Sequence, residues 1–94
     1  MNAQELTLNI AVNLGRLSRW AQEGKTVRIV QFLDETEGYV NQLEKTKQNE
    51  RFIKTFQSFR NNFIHLKATK NFDEEWAESM LTWANILTHR AKLA

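Results

Sequence analysis

Apolar side chains recur along this chain at helical steps, in four blocks separated by polar or glycine-bearing gaps. Leu6, Ile10, Leu14, Leu17 and Ala21 are spaced by fours and threes, which lines one face of a helix over residues 4–23, and Trp20 widens the stripe. Gly24 supplies a left-handed stop. Thr26 is placed to cap the next helix, whose stripe takes in Ile29, Val30, Leu33, Val40 and Leu43, flanked by Phe32 and Tyr39. Residues 44–50 hold no apolar side chain and mark a break, with Asn49 as the cap of a third helix. Phe52, Phe56, Phe59, Phe63 and Leu66 then fall on one seam with Ile53 and Ile64 beside it, a pattern that reads as core packing rather than a cofactor box. Lys67 to Lys70 form a short basic turn. Asn71 and Glu74 have the spacing of a capping box, and Trp76, Met80, Trp83, Leu87 and Ala91 trace a fourth stripe.

No segment alternates at period two and the chain has no proline, so a sheet is not expected and nothing interrupts a helix by removing a donor. Four amphipathic helices with short connections predict an all-α, up-down-up-down four-helix bundle, a single domain over residues 1–94. Gly15 and Gly38 fall inside helices, where each costs about 1 kcal/mol against alanine, and close helix–helix approach is the expected compensation.

Composition narrows the function. With 41% hydrophobic residues the 94-residue chain has material for one packed core and is not expected to be disordered. The absence of cysteine removes disulfides, cysteine-based metal centres and thiol chemistry. Two histidines argue against a His-rich metal site, and no metal or cofactor is expected. Apolar runs are too short to span a membrane, and no apolar stretch follows Met1-Asn2-Ala3-Gln4-Glu5; the expectation is a cytoplasmic protein with no membrane partner.

The net charge of +2 is unevenly spread. Residues 1–44 and 71–94 each carry two more acids than bases, whereas residues 45–70 carry seven bases against one acid. A basic middle attracts anions, although a solvated lysine-bearing helix face would have the same composition.

Within that basic stretch lies Phe59-Arg60-Asn61-Asn62-Phe63-Ile64-His65, or Arg-Asn-x-x-x-His. It resembles the motif of the HEPN superfamily, small all-helical domains marked by an arginine, four to six residues and a histidine, very often with asparagine after the arginine. The resemblance is specific over about seven residues and elsewhere extends only to helical class. It implies an RNA-binding domain, with metal-independent ribonuclease activity of a toxin or defence type, in which two copies of the motif meet across a homodimer. Arg60, Asn61 and His65 are then the candidate catalytic residues. A histidine exchanges protons near neutral pH, an arginine offers a forked permanent charge to phosphorane oxygens, and an asparagine orients either by hydrogen bonding. Lys45, Lys47, Arg51, Lys54, Lys67 and Lys70 are the candidate contacts to the RNA backbone. Asn61 and His65 share one helix face, while Arg60 and His65 are about 140° apart.

Plainer roles exist for the same residues. His65 suits a helix end, Arg60 suits an ion pair with a neighbouring helix, and Asn61 suits solvent; the chain would then be a non-catalytic module that binds another protein. His89 reads as a helix-end histidine, and Asp34-Glu35-x-Glu37 and Asp73-Glu74-Glu75 read as solvated charge. There is no glycine-rich phosphate loop. Trp20, Trp76 and Trp83 suit an interface, yet the last two lie on the apolar stripe. Duplex-DNA reading by the third helix is disfavoured because its seam turns inward.

Overall fold

The computed structural model describes residues 1–94 as four α-helices and a final 3₁₀ turn, with no strand: α1 (Ala3–Glu23), α2 (Thr26–Lys45), α3 (Glu50–Ala68), α4 (Glu74–Arg90) and η1 (Ala91–Leu93). The bundle measures 37 × 20 × 19 Å. No helix is long and apolar enough to cross a membrane.

Each turn is made by local chemistry. Asn2 caps α1 reciprocally with Glu5, its Oδ1 accepting from the Glu5 N–H at 2.8 Å, a box the hydrophobic pattern did not reveal. Gly24 ends α1 at φ 71°, and the Gly24 and Lys25 N–H groups return to Ala21 and Trp20. Asn49 caps α3 as expected, accepting from the Arg51 N–H. Two caps differ from expectation. Thr26 is already the first residue of α2, and Lys25 stands at the cap without a side-chain bond, because the single residue between Gly24 and α2 leaves no room for a capping turn. Asp73, not Asn71, caps α4: its Oδ1 accepts from the Trp76 N–H at 2.9 Å while Asn71 donates to its other oxygen. A full negative charge at a helix start outcompetes an amide. The α3–α4 turn also begins later than expected, since Lys67 and Ala68 are still helical.

One core joins all four helices. Phe52, Phe56, Phe59 and Phe63 are buried as a single file, and Phe59 meets Phe63 and the edge of Trp83. Burial closes the stripes with exceptions: Val30 is 51% exposed although its spacing fits the α2 stripe, and Ile53 and Ile64 are exposed on the flank of α3.

α1 is the central element, packed against both α2 and α4. Its contact with α4 is extensive, and small residues are buried on both helices: Ala3, Thr7, Ala11 and Ser18 on α1, Ala77 and Ala84 on α4, with Ala91 following in η1. The Ser18 hydroxyl donates to the Ala77 carbonyl at 2.7 Å, and the Thr7 hydroxyl donates to Ala3 at 2.7 Å. α2 and α3, although consecutive, keep their backbones apart.

Gly15 and Gly38 take no part in close approach, contrary to expectation. A Cβ at either position would meet nothing within 4 Å: Gly38 is exposed, and Gly15, though half-buried, has open space beside it. Gly15→Ala and Gly38→Ala are therefore each expected to stabilise the fold by about 0.5–1 kcal/mol, and Gly24→Ala, at positive φ, to destabilise it by about 1 kcal/mol. Urea denaturation of the three variants checks this; a loss at Gly15 or Gly38 would mean that a neighbour closes over it.

Candidate nucleic-acid interface

α3 carries the whole candidate motif. Because the phenylalanine seam points inward, the helical rotation fixes where the polar residues go: Arg60 onto the flank facing α2, Asn61 beyond it, and His65 outward. Arg60 is half-buried, whereas Asn61 and His65 are exposed.

Arg60 Nε donates to Glu44 Oε2 at 3.2 Å, with 39% of the arginine side chain still exposed. The pair crosses from α3 to the last turn of α2, which leaves the Nη groups of Arg60 to solvent. Beside it, the extended link after α2 runs along the first half of α3 and leaves an open groove of about 490 Å3. Thr46 and Gln48 of the link line one side, Ile53, Gln57, Arg60 and Asn61 line the other, and Phe56 lies at its floor. The volume is that of a small-ligand site. His65 does not line this groove. Its carbonyl instead accepts from the Thr69 N–H and hydroxyl at the end of α3. One copy therefore gathers Arg60 and Asn61 on a common space and leaves His65 one turn away, facing solvent.

The six candidate backbone contacts divide into two groups. Lys45, Lys47, Arg51 and Lys54 are exposed around the α2–α3 link, and none of them forms an ion pair. Lys67 and Lys70 lie at the opposite end of α3. Lys67 Nζ is held by Glu37 at 2.9 Å and Asp34 at 3.3 Å. The hydrogen bond to Glu37, reinforced by Asp34, raises the Lys67 pKa above the ordinary lysine value and offsets its partial desolvation. The acids read as solvated charge at Asp34 and Glu37 thus serve as a clamp on α3. Sequence spacing could not show this, since the partners are about thirty residues apart and their opposition depends on how α2 and α3 are registered.

No group of His, Asp or Glu side chains is arranged to hold a metal ion. His89 is exposed in the last turn of α4. Trp20 and Trp76 are buried, and the Trp76 indole N–H donates to the Leu66 carbonyl at 2.9 Å, so these rings are spent on the fold. No protein-family model matches this chain, no curated protein matches it, and no solved structure does either.

Proposed function

We propose that this chain is an RNA-binding helical domain of HEPN type, with metal-independent cleavage at sites completed by two copies. The observation that carries the reading is that exposed, unpaired Lys45, Lys47, Arg51 and Lys54 gather near the α2–α3 link, the same link that forms the groove presenting Arg60 and Asn61. The lysines and Arg51 supply sequence-independent attraction to phosphates. The free Nη edge of Arg60 stabilises charge on the phosphorane, Asn61 positions the phosphate, and His65 moves the proton from the 2′-hydroxyl or to the 5′-oxygen. Because His65 stands outside the groove of its own chain, it serves the groove of a second copy in a homodimer.

Incubating the chain with single-stranded RNA in EDTA tests this. Cleavage is expected to fall about 10²–10⁴-fold in His65→Ala and about 10²–10³-fold in Arg60→Ala, with binding retained in the first. Processing of RNA at the parent rate by both variants would end the catalytic reading, and absence of RNA binding by the parent would end the whole. A second reading, a non-catalytic module that docks another protein, is favoured by Val30, Ile53 and Ile64, exposed along the α2–α3 face. It requires partner binding that survives His65→Ala and no nuclease activity.

A further inference from the structure

Of the 13 lysines and arginines, Lys25, Arg60 and Lys67 are ion-paired, and Arg16 and Arg28 lie over the rings of Phe32 and Trp20. Eight remain without a partner. The up-down-up-down path brings six of them to one end of the long axis: Lys45, Lys47, Arg51 and Lys54 around the α2–α3 link, and Arg90 and Lys92 at the end of α4 and in η1.

The register of α3 against α4 makes this grouping specific. Trp76 bonds to Leu66 and Trp83 packs on Phe59, so each step along α4 is matched by a step back along α3. Two further turns bring Arg90 level with Phe52. Arg90 lies two turns beyond Trp83 on the α4 flank that faces α3, and Arg51 lies two turns before Phe59 on the outer side of the flank that faces α4. η1 packs against both α1 and α3, which fixes the C-terminal bases at this level. Arg51 and Arg90 are exposed and unpaired, and the helical rotation assigns them to facing edges of the α3–α4 seam. Like charges on facing edges repel, an arrangement that an anion between them relieves. The side-chain carboxylates of this end are Glu44, held by Arg60; Glu5, held in the α1 cap; and Glu50, in the first turn of α3.

We propose that Arg51 and Arg90 form a phosphate clamp across the α3–α4 seam, and that a single strand of RNA crosses this end of the bundle rather than running along α3. Lys92 flanks the clamp, and Lys47 and Lys54 lead from it toward the α2–α3 groove. The inference rests on the RNA-binding reading and adds α4 and η1 to the surface. A lipid surface fits less well, because none of the large exposed apolar side chains is aromatic.

Binding of a fluorescent single-stranded RNA to the full chain across a salt series is the test. Arg51→Gln and Arg90→Gln are each expected to weaken binding about three- to tenfold and to reduce the log–log salt slope by about 0.7. Arg51→Lys and Arg90→Lys retain most of the affinity, which excludes unfolding as the cause. Arg19→Gln, the same charge change on the outer face of α1, leaves binding at the parent level. Arg90→Gln behaving like Arg19→Gln, while Lys45→Gln and Lys47→Gln weaken binding, would overturn the clamp and leave the RNA-binding reading intact. No binding by the parent would overturn that reading itself. Anionic vesicles or duplex DNA bound as tightly as the RNA would overturn the assignment to a single strand.

Discussion

Replacing Phe59 by alanine is expected to lower the stability of this domain by about 3–5 kcal/mol. Phe59 has no exposed surface and contacts Phe63 and Trp83, so truncation opens a cavity at the point where α3 meets α4. For a chain of this size a loss of 1 kcal/mol lowers the melting temperature by about 4–8 °C, and total stability is only about 5–15 kcal/mol. The variant is therefore expected to lose a large part of its folding free energy and to melt at least about 10 °C below the parent. Ile64→Ala, on the same helix but 52% exposed, is expected to change stability by about 0.5 kcal/mol or less. Chemical denaturation of both compares them directly. A cost below about 1 kcal/mol at Phe59 would contradict the burial of the phenylalanine file.

Ala77→Leu carries the second large effect, an expected loss of about 1–3 kcal/mol. Ala77 is fully buried on the α1–α4 seam, and its carbonyl receives the Ser18 hydroxyl. A leucine there must push the helices apart or leave its preferred rotamer, and separation breaks the Ser18 bond. The melting transition of the variant, read beside Gly15→Ala where α1 has open space, distinguishes crowding at the seam from any general intolerance of larger side chains in these helices. Full tolerance of leucine at position 77 would mean that α1 and α4 are less closely apposed than their small residues indicate.

Much of the architecture was legible because four helices of this length each carry an unambiguous seam. The phenylalanines of α3 recur so regularly that their burial followed from spacing alone. Positions at stripe edges were harder. Val30 has the right period, yet it falls where α2 and α3 stand apart, and only tertiary placement decides that it stays exposed. Gly15 and Gly38 were misread for a related reason: the small residues buried on α1 and α4 are Ala77, Ala84, Thr7 and Ser18, none of which stands out in composition.

The site was legible only in part. Spacing put Asn61 and His65 on one helix face and Arg60 about 140° from His65. It did not indicate that Glu44 would hold Arg60, that Asp34 and Glu37 would clamp Lys67, or that Arg90 would stand level with Arg51. These relations depend on the register between helices that are distant in sequence, and a single helix carries no trace of it.

The helix pair in most extensive contact, α1 with α4, also joins the two segments farthest apart along the chain. Closing so long a loop is slow compared with forming neighbouring hairpins. During synthesis, the alanine, threonine and serine face of α1 waits beside the ribosome without its companion until the last helix has emerged. Until Trp76, Met80 and Leu87 of α4 arrive, the leucine and isoleucine stripe of α1 and the phenylalanine file of α3 also lack part of their cover, so α4 is the element that closes the core.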